Sequence, residues 1–234
     1  MNYGDLVVLD DVDFQVGAGE SVGVVGPNGA GKTTLLSALA GTVRVLGGSV
    51  SVGGRDLTRL PVETRCRLGV ARAYQVPRPF GGMTVLENVL VPAMHGGGLR
   101  RRGARERAVE VLIRTGLTGL ANRRADSLGL LSRKRLEVAR ALATGPSVIL
   151  LDEIAAGLTD AEAAEIVMLV RDLRDSGLGV VWIEHIVHVL VQGIDRLIAM
   201  DAGRVIADGD PHDVLANAAV VDAYLGGRAL GEEV

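Results

Sequence analysis

The run Gly26-Pro27-Asn28-Gly29-Ala30-Gly31-Lys32-Thr33 carries the most specific chemistry in this sequence. It fits G-x-x-x-x-G-K-[ST] at every position. Glycines let successive backbone N–H groups turn inward around an anion. A helix that follows offers its N-terminal donors to the same anion. Lys32 adds a point charge for β- and γ-phosphates, Thr33 offers a hydroxyl to Mg²⁺, and Thr34 continues the run into the helix. The plain alternative is a glycine-rich turn. Gly53-Gly54 and Gly96-Gly97-Gly98 are of that kind, because they lack the lysine.

A second group of residues ends an apolar run: Val148-Ile149-Leu150-Leu151-Asp152-Glu153. Asp152 stands where a carboxylate would hold Mg²⁺, directly or through water. The strand pleat turns Glu153 to the opposite side, where it would accept a proton from water attacking the γ-phosphate. Two solvated acids at a strand end are common, but the phosphate loop in the same chain gives this pair a partner. ATP and Mg²⁺ are the ligands that the two groups imply together.

Both need rigid supports. Ser21–Val25 is a short apolar run ending in Gly26 and reads as a buried strand, with a helix over Thr33–Ala40 closed by Gly41. A turn-rich strand segment lies near 48–56. Helical patterns follow over Thr84–Val91, Ala104–Thr115 and Arg133–Ala143. Strands and helices then alternate: Ser147–Leu151, Ala161–Asp175, Val180–Ile183, Ile186–Gln192, Arg196–Met200. That alternation predicts an α/β fold with a largely parallel sheet and helices on both faces. The helical block near 77–143 interrupts it and reads as an inserted subdomain. Arg204–Ala207, after the turn Asp201–Gly203, reads as a closing hairpin.

Composition bounds the remaining classes. The chain has 234 residues, of which 48% are hydrophobic, so one domain with a subdomain and a substantial core is expected. A net charge of -3 excludes a broad nucleic-acid footprint, and aromatics, at 3%, do not interleave with arginines. Mean hydropathy is +0.30, yet no apolar run approaches the ~20 residues of a membrane span. The start has no signal-peptide pattern, so a cytoplasmic protein that docks on a partner is expected. Cys66 is the only cysteine, which precludes an intrachain disulfide. Only Lys32 and Lys134 are lysines; outside Lys32 this reads as an arginine bias. Glu184-His185-x-x-His188 has metal-like spacing, but a strand end followed by a helix explains it. The basic cluster Arg100, Arg101, Arg102, Arg105 and Arg107 reads as a solvated helix start.

With its phosphate loop, acidic strand end and inserted helices, the chain resembles the ATP-binding cassette ATPases over nearly all its length. The resemblance implies that Gln75 senses Mg²⁺ and the attacking water at the subdomain hinge. It implies that His185 contacts the γ-phosphate and that Tyr3 stacks on adenine. Ala156-Gly157-Leu158-Thr159 is similar to the loop that crosses the family's dimer interface. The stretches Gly69–Gln75, Met83–Val89, Ala156–Thr159 and Gly203–Pro211 resemble the ATPases of branched-chain amino acid importers and their relatives.

The sequence departs from the family pattern twice. It begins at the stacking aromatic, where the family has a further first strand. The signature Leu-Ser-Gly-Gly-Gln is replaced, by spacing, by Leu128-Gly129-Leu130-Leu131-Ser132, ahead of Arg135–Arg140. The serine hydroxyl and second glycine are gone.

The family's function implies ATP hydrolysis that drives a transporter, with two ATPase subunits and membrane permease subunits docked near Gln75–Met83. The protein would then lie on the inner face of the membrane. The altered signature favours a heterodimer over a homodimer. The rival readings are a soluble cassette ATPase not coupled to transport, and a nucleotide-binding regulator with weak hydrolysis. A long coiled coil or a second cassette would mark repair or translation types, and neither is present.

Overall fold

The computed structural model describes residues 2–3 and 6–229, with side chains from 8 to 224. In chain order the elements begin with β1 (Asn2–Tyr3), β2 (Leu6–Val7), β3 (Ser21–Val25) and α1 (Lys32–Ala40). Next come β4 (Ser51–Val52), β5 (Arg55–Asp56), α2 (Val62–Arg67) and β6 (Val70–Ala73). The helical stretch holds α3 (Val85–His95), α4 (Arg101–Arg114) and α5 (Leu130–Leu142). After it come β7 (Val148–Asp152), α6 (Asp160–Asp175), β8 (Gly179–Ile183) and α7 (Val187–Leu190). The chain continues through β9 (Arg196–Asp201), β10 (Arg204–Gly209), α8 (Pro211–Ala216) and α9 (Ala218–Ala229).

Six strands form the main sheet in the order β10-β9-β3-β8-β7-β6. β9, β3, β8, β7 and β6 run parallel, and β10 turns back antiparallel on β9. The central strands show why: Ser21–Val25 and Gly179–Ile183 are buried at every position, so they have no polar face to offer water. Successive side chains feed two cores. Val22, Val24, Val181, Ile183 and Ile198 face α1, with Leu35 and Leu36. Val25, Val180, Trp182, Leu197 and Ala199 join the helices of the opposite face. Among the described residues two further short strand pairs are antiparallel, β1 with β2 and β4 with β5.

Caps fix the helix starts. Thr84 and Glu87 cap each other reciprocally at the start of α3, as do Thr159 and Glu162 at α6. All three helices of the stretch between β6 and β7 start within three residues of where the sequence pattern gives and end within four. The pattern does not reveal α2, α8 or α9. α2 has six residues between turn signals, and α9 is rich in alanine with little amphipathic contrast.

Candidate active site

The phosphate loop leaves β3 at its C-terminal end and enters α1, the strand–loop–helix context that the motif requires. Two glycines there have backbone that other residues resist. Gly26 has φ 151°, and a Cβ would lie 2.1 Å from the carbonyl of Met200. Gly31, at the N-cap of α1, has φ 97°, and a Cβ would lie 2.9 Å from the carbonyl of Val8. Lys32 is buried, and its Nζ donates to the carbonyls of Gly26 (2.6 Å) and Pro27 (3.0 Å). Burial lowers the pKa of that ammonium, and the charge of Glu153 pushes it back up. A cleft of about 240 Å³ is lined by Asn28–Thr34, Val8, Glu153 and His185. A glycine-rich loop around the cleft, a buried cation and the hydroxyl of Thr33 fit a magnesium polyphosphate.

Glu153 lies one residue past β7. Its N–H continues the ladder to the carbonyl of Ile183 (2.9 Å), but its φ is 47°. The left-handed turn, not the strand pleat, therefore aims the side chain, which corrects the alternation argument. Its carboxylate is shared: Gln75 Nε2 donates to Oε2, and His185 Nε2 stands 2.8 Å from Oε1. Gln75, 78 positions away in sequence, is thus placed on the same carboxylate as His185. The side chain of Glu153 is 11% exposed and that of His185 49%, so the pair opens toward the cleft.

Asp152 is engaged differently from the sequence expectation. Arg72 Nη2 donates to its Oδ2 at 2.5 Å, with both side chains buried, and Arg72 Nη1 reaches Ser37 Oγ at 3.1 Å. One oxygen of Asp152 therefore faces a guanidinium inside the protein. Nothing in the sequence pairs these residues; only the neighbouring registers of β6 and β7, Arg72 opposite Leu150, bring them close.

Two functional neighbours have no sequence signal. Lys134 on α5 is 3% exposed, and its Nζ donates to the carbonyls of Gln75 (2.7 Å) and Glu153 (3.0 Å). It is not mere compositional bias. Glu184, 2% exposed, accepts from the N–H of Ala155 (2.7 Å) and Nε1 of Trp182 (3.0 Å) through one oxygen. Its other oxygen is buried without a partner among the described residues. Burial pushes its pKa up to about 7, against the two hydrogen bonds.

The remaining expectations fall as follows. Tyr3 pairs with Leu6 in a strand register, but its side chain lies outside the described residues. Gly129 is the N-cap of α5, so the strip Leu128–Ser132 straddles the helix start. No side chain caps that start, and Leu130 is 45% exposed, its Cδ2 close to Gly157. The strip does not line the cleft of its own phosphate loop. His188 is exposed and lies 3.9 Å from Asp160.

Residues 9–156 match the family model described as ABC transporter, and residues 204–229 match that described as branched-chain amino acid ATP-binding cassette transporter. The chain is 36% identical to the high-affinity branched-chain amino acid transport ATP-binding protein LivG of Salmonella typhimurium, over 97% of this chain and 94% of LivG. It is 37% identical to the lipopolysaccharide export system ATP-binding protein LptB of Acidithiobacillus ferridurans, over 96% and 93% of the two chains. Among solved structures, a nucleotide-free ATP-binding cassette from an ABC transporter superposes with a TM-score of 0.87 at 30% identity, covering 96% of this chain and 95% of that one. The chain belongs to the ABC transporter family, as one of its ATP-hydrolysing cassettes.

Proposed function

We propose that this cassette energises an importer of branched-chain amino acids or related small solutes. Overall identity does not choose between import and export, since LivG and LptB are about equally similar. The tail supports import of branched-chain amino acids: residues 204–229 match the family model described as branched-chain amino acid ATP-binding cassette transporter. The test is ATP-driven uptake of labelled leucine by vesicles holding the chain with its co-purifying membrane subunits. Uptake that needs Lys32 supports the reading; lipid export without amino acid uptake refutes it.

Hydrolysis would proceed by in-line attack of water on the γ-phosphate, mostly through positioning and charge. Backbone donors of Asn28–Lys32 and the Lys32 ammonium hold the phosphates. Glu153 orients and deprotonates the water, while Gln75 and His185 hold its two oxygens. Thr33, Asp152 and Gln75 would hold Mg²⁺, which supplies charge neutralisation when bound. Tyr3 would stack on adenine.

The start of α5 has no side-chain cap and does not line the chain's own cleft, which supports its use as a cap for the ATP of a second ATPase subunit. Gly129 stands where the family has the serine hydroxyl, and Leu131 adds a side chain where backbone must approach phosphate. A partner with an intact strip would complete this chain's site, so the preferred assembly is a heterodimer. Exposed Val76, Phe80 and Met83 support docking of permease subunits where the helical block, 77–143, meets the sheet. Among the described residues no helix is long and apolar enough to cross a membrane; a peripheral place on the inner membrane face follows from the permease contact.

A further inference from the structure

Lys134 does not line this chain's own phosphate-loop cleft. A buried ammonium costs free energy unless its protons are taken up. Here two go to main-chain carbonyls, Gln75 at 2.7 Å and Glu153 at 3.0 Å. Glu153 and Asp152, with Glu184 once it is ionised, supply the surrounding negative charge. The two carbonyls lie on different segments: Gln75 follows β6, and Glu153 follows β7. Their side chains meet each other through Gln75 Nε2 and Glu153 Oε2. One ammonium thus fixes the backbone beneath both halves of that contact.

Lys134 also stands on the helix that Gly129 starts. Five residues of helix span about 7–8 Å, so the strip at the helix start and the ammonium move as one body. We propose that Lys134 is a positioning residue, through which the placement of α5 sets how Gln75 and Glu153 face each other. This rests on the hydrolytic roles proposed above for those two residues. Its consequence is that contact made by the strip with a second subunit's nucleotide is felt at this chain's own base.

The test uses the assembled transporter. Lys134→Met keeps the length and apolar stem and removes every donor. The rate constant kcat should fall about 10–100-fold per folded molecule, the range that misplacing a catalytic group by about 1 Å produces. The Kd for ATP, by equilibrium titration, should stay within about twofold, since no phosphate contact is lost. Lys134→Arg, which keeps donors, should recover part of the rate. If Lys134→Met does not fold, Lys134→Gln is measured, with a loss of at least about threefold expected from its shorter reach. An unchanged kcat, or equal losses of kcat and ATP affinity, would overturn the proposal. Glu153→Gln in the same complex separates the two claims. If it abolishes hydrolysis while the Lys134 variants do nothing, the positioning role alone falls. If it too leaves hydrolysis intact, the roles assigned to Glu153 and Lys134 fall together.

Discussion

His185 meets Glu153 directly, Nε2 to Oε1 at 2.8 Å, so the histidine, just past β8, orients the carboxylate just past the neighbouring strand β7. Glu153→Gln keeps the shape of the side chain and removes its basicity. ATP binding should persist while hydrolysis falls about 10²–10⁴-fold. Phosphate release and equilibrium ATP titration on one preparation decide it; wild-type turnover in the assembled complex would exclude Glu153 as the base.

Lys32→Ala removes the buried cation of the phosphate loop. Charge-assisted bonds contribute about 1.5–3 kcal/mol each, so ATP affinity should drop about 10–100-fold. Titration with ATP at fixed Mg²⁺ measures it. An unchanged Kd would mean that the loop does not hold the phosphates.

Glu184 gives the fold a pH dependence. Its pKa is raised from 4.5 to about 7, chiefly by burial. Between those values the folded chain holds a proton that the unfolded chain has lost. Stability should therefore fall as pH rises through that window and level off above it. The loss is at most about 3 kcal/mol, at 1.36 kcal/mol for each pH unit. Glu184→Gln keeps the acceptor for Ala155 and Trp182 and removes the titration. Urea unfolding from pH 5 to 8 should show the wild-type slope flattened in the variant; parallel curves would refute the assignment.

Tyr224 on α9 accepts the N–H of Gly26 at 2.9 Å and so ties the tail to the phosphate loop. Tyr224→Phe leaves that donor without its partner, at a cost of about 1 kcal/mol. Tm should fall by about 2–4 °C for a chain of this size. Calorimetry with and without nucleotide checks it, and an unchanged Tm would show the bond to be dispensable.

The two ATP sites of the proposed heterodimer should not contribute equally. Glu153→Gln should remove most turnover of the reconstituted complex, and the equivalent change in the partner should remove less. Equal losses, or a fully active homodimer of this chain, would mean that Leu128–Ser132 works as it stands.

The sheet and the phosphate loop were legible because their signals are local: short apolar runs, a glycine–lysine spacing, turn residues at the joints. Gln75 and His185 were readable only through resemblance, and the fold brings both onto Glu153. Lys134 and Glu184 were not legible. Their roles arise where α5 packs on β6 and where β8 passes β7, contacts between residues far apart in sequence. The pairing of Arg72 with Asp152 depends likewise on strand order. The direction of Glu153 escaped the pleat argument because a single dihedral, φ 47°, takes it off the strand.

That dihedral has a cost for the protein's persistence. A non-glycine residue held in the left-handed region is uphill by about 1–3 kcal/mol, and glycine there would relieve much of it. Glu153→Gly should therefore be no less stable than the parent while turning over nothing. A library screened for heat resistance alone would enrich inert cassettes at this position, and only selection for turnover keeps the glutamate in place.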